Sequence, residues 1–154
     1  RVTAVDIDEA SVGVTRENVL KNGIDPEKFT LLCGDVTGNA ALAQRVGKGY
    51  DVVLANIVAD VIIGMRRELF DFLRPGGTLI ASGIIGERAD EVQRALTDCG
   101  FACVNAASSR TGLCCGAKSP FEARGRLSLR GRVFCALCGA KKRGTMPVVR
   151  RLDL

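Results

Sequence analysis

At 154 residues, 47% hydrophobic and 25% charged, the chain is long enough for one domain around a sizeable core, and its composition is that of an ordinary globular protein. No apolar run approaches the roughly 20 residues a membrane helix needs, and seven cysteines, an odd number, are too few for a disulfide scaffold. The net charge of +5 divides unevenly, −4 over residues 1–105 and +9 over residues 106–154, and with no histidine among these residues any proton removal here uses water, a carboxylate or the substrate itself.

The chain opens without methionine, and Arg1-Val2-Thr3-Ala4-Val5 enters a strand-like pattern with no signal peptide before it. It reads as a fragment whose beginning lies upstream, in a reducing, cytoplasmic setting that leaves the thiols free. The first apolar run, Val2–Ile7, stops at Asp8, which can cap a helix over Glu9–Lys21. Asn22-Gly23 ends that helix, and Asp25-Pro26 turns the chain into the second run, Phe29–Cys33. Gly34-Asp35 ends it, and a short helix is expected over Ala40–Val46. Tyr50–Asn56, the third run, is apolar on both faces, as interior parallel strands are. An amphipathic helix should follow over Asp60–Leu73, with Ile63, Leu69, Phe70 and Leu73 toward a sheet. Arg74-Pro75-Gly76-Gly77 breaks it before a fourth strand, Thr78–Ser82, and Glu87–Cys99 gives another helix. Phe101–Val104 begins a fifth strand. Beyond Asn105 the pattern fades, although Arg132–Cys138 could form one more strand.

Strand and helix alternate from Arg1 to about Asn105, which implies an α/β fold: a doubly wound, mostly parallel sheet with helices on both faces. Two regions are expected, a partial catalytic domain over residues 1–105 and an irregular basic tail over residues 106–154, with a final strand at 132–138 within it. In open α/β sheets ligands bind beyond the carboxyl ends of the strands. The residues there are Asp6, Asp8, Asp35, Asn56 and Ser82-Gly83. Acids and amides predominate, and they are the acceptors that the hydroxyls and exocyclic amine of a nucleoside need. Taken singly, Asp8 could serve only as a cap and Asp35 only as a turn residue. Their recurrence at successive strand ends is what suggests a site.

The same residues carry a family resemblance. Val5-Asp6-Ile7-Asp8, Gly34-Asp35, Leu73-Arg74-Pro75-Gly76-Gly77 and the run from Tyr50 to Asp60 resemble class I methyltransferases dependent on S-adenosylmethionine. Ala55-Asn56-Ile57 and Ser82-Gly83-Ile84-Ile85 are the more specific elements, and they resemble the ribosomal protein L11 methyltransferase (PrmA-like) family. The resemblance implies a Rossmann-like fold entered at its second strand and methyl transfer to amino groups, lysine or N-terminal, of a large-subunit ribosomal protein. It also implies roles for single residues. Asp6 would accept from the ribose hydroxyls, Asp8 would orient that loop and cap the helix, and Asp35 would lie near the adenine amine. Asn56 would bind at the cofactor and line the transfer site, where its amide oxygen accepts from an incoming amine. No metal is implied.

Two departures from the family stand out. The glycine-rich loop after the first strand and the amino-terminal recognition domain are missing from this sequence. Without a first strand a central place in the sheet should be vacant, so the chain alone is expected to be inactive and to bind cofactor weakly or not at all. The tail is the other departure, since an antiparallel pair should follow Asn105 and a long basic stretch stands there instead. Its charge could make weak contact with RNA. Cys135-x-x-Cys138 supplies too few ligands for structural zinc, so these and Cys114-Cys115 read as buried thiols. The alternatives to the leading reading are a class I methyltransferase of another substrate, a nicotinamide-dependent dehydrogenase, and a non-catalytic remnant or RNA-binding module. The Pro-Gly-Gly turn and the Ser82-Gly83 strand end favour the methyltransferase over the dehydrogenase.

Overall fold

The computed structural model describes residues 1–109, 112–118 and 133–137, with side chains through Ala102. Val2–Asp6 (β1), Glu9–Lys21 (α1), Phe29–Cys33 (β2), Ala40–Val46 (α2) and Tyr50–Asn56 (β3) lie where apolar runs and capping residues place them. Then come Ala59–Gly64 (α3), Arg66–Phe72 (α4), Leu73–Ile84 (β4), Ala89–Asp98 (α5), Ala102–Ser109 (β5), Gly112–Lys118 (β6) and Val133–Leu137 (β7). Single 3₁₀ turns precede β2 and α5. Among the described residues no helix is long and apolar enough to cross a membrane.

All seven strands form one sheet in the order β2-β1-β7-β3-β4-β6-β5. β6 runs antiparallel to both of its neighbours, and every other pairing is parallel. Successive residues of a strand point to opposite faces. Both Val52 and Val53 are buried, as are both Ala4 and Val5, so the sheet is covered on both sides. The core between sheet and helices includes Leu42 and Val46 of α2, Ile62 of α3, Leu69 and Phe72 of α4, and Val92 and Leu96 of α5. Phe101 closes it, its ring meeting Phe70 edge to face at 5.2 Å.

Three expectations are corrected by this topology. The place between β1 and β3 is filled: β7 lies there, parallel to both, with Leu137 in register with Asp6 on one side and Asn56 on the other. The strand expected near 132–138 therefore sits at the centre of the sheet, and the outer antiparallel pair is made by β5 and β6. β6 was not readable as a strand because its residues carry no strand period. Gly-Leu-Cys-Cys-Gly-Ala-Lys shows no alternation of polar and apolar residues, and its two glycines weaken a strand signal further.

The helix expected over Asp60–Leu73 is two helices. Gly64, a weak helix former, and Met65, at φ −98° and ψ 18°, break it. The Arg66 guanidinium donates to the Ile63 carbonyl at 2.6 Å, which satisfies an acceptor freed at the break. The faces shift accordingly. Ile62, Met65, Leu69 and Phe72 are the buried residues, Ile63 and Phe70 are only partly so, and Leu73 belongs to β4. β4 also starts earlier than expected. Leu73 pairs with Tyr50 and Thr78 with Val52, so Arg74–Gly77 bulges out of the ladder. A Cβ at Gly77 would stand 2.9 Å from the Tyr50 and Arg74 carbonyl oxygens, and only glycine lets the bulge close that tightly.

Candidate functional site

The sheet register puts one residue from each of five neighbouring strands in a single row at their carboxyl ends: Cys33, Asp6, Leu137, Asn56 and Ser82. With strands about 4.8 Å apart, the backbones of Asp6 and Asn56 are separated by about 10 Å, across β7. Asp35 lies two residues beyond the end of β2, and Asp8 two beyond the end of β1. Asp6, Asp8, Asp35 and Asn56 thus stand at or just beyond neighbouring strand ends.

Asp6 is buried, 4% exposed. Its Oδ1 accepts the Asp8 backbone N–H at 2.9 Å, which folds the chain back over the strand end. The Gly34 N–H donates to the Asp6 carbonyl at 2.9 Å and ties the ends of β1 and β2 together. Asp8 caps α1. Its Oδ1 accepts the Ala10 N–H and its Oδ2 the Ser11 hydroxyl, each at 3.0 Å. Between them Ile7 is 61% exposed, an apolar surface beside a buried acid.

Asp35 is exposed and forms a local turn, its Oδ1 accepting the Thr37 N–H at 2.8 Å and the Thr37 hydroxyl at 2.7 Å. These bonds, the hydroxyl's first, hold its carboxyl below the usual carboxylate range. One oxygen is therefore committed to the turn, and Oδ2 is the one that could face a ligand.

On the other side of β7, Asn56 is exposed, and its Oδ1 accepts the Ser82 hydroxyl at 3.0 Å. The Ile57 N–H donates to the Ser82 carbonyl at 3.2 Å, so the two strand ends are joined through backbone and side chain alike. Gly83 follows at φ +83°, and a Cβ there would come within 3.2 Å of Asn56 Oδ1. The loops beyond are pinned by Arg88, which donates to Asp60 at 2.7 Å and also binds Glu91. Arg88 accordingly lowers the Asp60 carboxyl, through the hydrogen bond first and its charge second. Val58 and Ile85, 49% and 72% exposed, add further apolar surface on this side.

Sequence reasoning named Asp6, Asp8, Asp35, Asn56 and Ser82, but it missed the Ser82–Asn56 contact and the Arg88 clamp. The signal for the former was present: both residues end strands, and the register of adjacent parallel strands places such ends side by side. The expectations for Cys114, Cys115, Cys135 and Cys138 concern side chains outside the described residues. Those for RNA contact fall mainly on positions that are likewise outside them.

The family described as Ribosomal protein L11 methyltransferase (PrmA) matches residues 1–119. A ribosomal protein L11 methyltransferase of Desulforamulus reducens is 44% identical over 103 residues, covering 66% of this chain and 30% of that protein. The corresponding protein of Azotobacter vinelandii is 40% identical over 96 residues, covering 62% and 30%. The chain thus spans about a third of the length of the curated relatives it matches. In the fold it is similar to the crystal structure of the ribosomal protein L11 methylase of Lactobacillus delbrueckii subsp. bulgaricus, with a TM-score of 0.65 at 22% identity, covering 75% of this chain and 55% of that one.

Proposed function

The chain belongs to the ribosomal protein L11 methyltransferase family, and from that premise we propose that it supplies the core of an S-adenosylmethionine-dependent methyltransferase acting on amino groups of ribosomal protein L11 in the cytoplasm. The observation that carries the reading is the row at the strand ends, with Asp6 and Asn56 flanking β7.

The donor set fits an adenosine. Asp6 is a buried carboxylate at the carboxyl end of β1, the type of acceptor that paired ribose hydroxyls need. Ile7, exposed beside it, offers apolar surface to a base, and Asp35 Oδ2 an acceptor for an exocyclic amine. Asp8, engaged with Ala10 and Ser11, acts through the loop it caps.

When bound, the cofactor supplies an already activated methyl on a sulfonium, so the protein's task is alignment. Asn56 does this from the opposite side of the row. Ser82 takes one lone pair of Oδ1, and the second can accept from a substrate amine and hold it in line. An amine with a pKa of about 10.4 must shed its proton first, and transfer from water to an apolar rim favours the neutral form. Val58 and Ile85 supply that rim. None of the 154 residues is a histidine, so on this side the proton acceptors are a carboxylate, water or the substrate itself.

The test is methyl transfer from labelled S-adenosylmethionine to purified L11, with the Asn56→Ala variant beside the wild type. With β7 in the place whose vacancy implied inactivity, the expected result is labelled L11, and a rate lowered about tenfold or more in the variant, given what misalignment costs. Labelling that is absent, or equal in the two proteins, would overturn the reading.

A further inference from the structure

We propose that Ser82 is a positioning residue for methyl transfer, which fixes the carboxamide of Asn56 so that one face of its oxygen stays open to the substrate amine. The inference rests on the reading of Asn56 given above and extends it to a residue with no assigned role.

An exposed asparagine at a strand end is free to rotate about χ2 and to exchange its oxygen and nitrogen. Asn56 is exposed, yet three features restrict it. The Ser82 hydroxyl donates to Oδ1 at 3.0 Å and so distinguishes the oxygen from the amide nitrogen. The backbones are locked in register, Asn56 opposite Ser82, and the Ile57 N–H binds the Ser82 carbonyl at 3.2 Å, so the hydroxyl is presented from a fixed point. The third is Gly83. At φ +83° it turns the chain away from the strand, and the space a Cβ would fill lies 3.2 Å from Oδ1. Removal of that Cβ is what leaves room for the oxygen.

The bond also sets the polarity of the group. A hydroxyl donating to Oδ1 occupies one lone pair in the amide plane and leaves the other as the acceptor. It withholds no proton from the substrate, because serine acts here only as a donor to asparagine. Without it the carboxamide could flip and offer its NH₂, which repels an incoming N–H. The two residues should therefore behave as one unit in transfer.

The experiment uses the full 154-residue chain as wild type, Ser82→Ala, Ser82→Thr, Gly83→Ala, Asn56→Ala and the Asn56→Ala/Ser82→Ala double variant. Two quantities are read: the side-chain ¹⁵N order parameter of Asn56, and the rate of methyl transfer to L11 with the affinity for S-adenosylhomocysteine measured alongside. Ser82→Ala is expected to bring the order parameter of Asn56 down to that of an unrestrained surface asparagine. It should slow transfer about tenfold while cofactor affinity stays within about twofold, the loss typical of one hydrogen bond acting on one step. Ser82→Thr should restore both, and Gly83→Ala should disturb Asn56 from the other side. In the Asn56→Ala background the second substitution should have no further effect on rate, which a general structural role for Ser82 would not produce. An Asn56 side chain equally ordered in Ser82→Ala, or additive losses in the double variant, overturns the proposal. If wild type transfers no methyl group, or Asn56→Ala is as fast, it is the reading of Asn56 that fails, and the order parameters still decide whether Ser82 holds it.

Discussion

The two halves of the rim are built on different principles. On the β1–β2 side each acid is held by residues immediately ahead of it in the chain: Asp6 by the amide of Asp8, Asp8 by that of Ala10, Asp35 by that of Thr37. On the β3–β4 side the contacts join distant segments, Ser82 to Asn56 and Arg88 to Asp60. In the first half the acid side chains are set by local turn chemistry, while the Gly34–Asp6 backbone bond joins the two strand ends. The second exists only when β3 and β4 are in register. β7 lies between them and is the element that makes one site of two halves.

The largest effect is therefore expected at β7. Ala136 pairs with Val5 on one side and Ala55 on the other, so Ala136→Pro places a residue without an N–H, and with a fixed φ, in the middle of an interior strand. A cost of about 3 kcal/mol or more is expected, which for a chain of this size lowers the melting temperature by roughly 10 °C. Thermal unfolding followed by circular dichroism measures it. An unchanged transition would mean that β7 is not seated between the halves in solution.

Next comes Asp6→Ala. A hydrogen bond to a charged group contributes about 1.5–3 kcal/mol, so affinity for S-adenosylhomocysteine should fall roughly tenfold to a hundredfold in calorimetric titration. Because β7 fills the place expected to be vacant, the acceptors keep their row in this chain, and measurable binding is expected where vacancy predicted little. The contacts proposed for the described residues fall on the adenosine side, so the affinity should be micromolar or weaker. Asp6→Ala with unaltered binding would move the nucleoside away from this half of the rim.

The contrast between halves also explains what the sequence could disclose. Asp8, Asp35 and the helix starting at Glu9 were readable because each signal involves neighbours: a cap two residues ahead of its N–H, a strand end followed by glycine or a turn. The alternation of apolar runs disclosed the parallel fold for the same reason. β6 and the position of β7 were not readable, since an interior strand of small residues has no period and its neighbours are chosen by the whole sheet. The break at Gly64-Met65 was hidden as well, because the apolar spacing continues through it. Asn56 was found from its place at a strand end, but its tie to Ser82 depends on the pairing of two strands 26 residues apart.

A helix cap gives a smaller effect. Asp8→Ala removes acceptors for Ala10 and Ser11 and should destabilise the protein by about 1 kcal/mol in urea denaturation. Arg88→Ala, on the opposite half, breaks exposed ion pairs to Asp60 and Glu91. Its effect on stability should be smaller and should shrink as salt is added, because surface pairs are screened. If Arg88→Ala proves the more destabilising of the two, the cross-strand half is held more tightly than its exposure implies.

The smallest expected effect is a pH dependence on the local side. The Thr37 hydroxyl and N–H hold the Asp35 carboxyl below its ordinary value of 3.8 in the folded chain. A carboxyl whose folded value is depressed binds protons more readily when unfolded, so its contribution is present in full above the unfolded value and is lost as pH falls through the folded one. Thr37→Ala removes the first cause of the depression. Wild type should therefore be slightly more stable than Thr37→Ala at neutral pH, with the gap closing as the pH is brought below the ordinary carboxylate range. Parallel urea titrations of the two proteins at neutral and acid pH read the gap directly. A gap that stays constant with pH would show that Thr37 supports the turn through its hydroxyl alone, with no linkage to the charge of Asp35, and Asp35 Oδ2 would then be as readily protonated as any exposed carboxyl when it meets an amine.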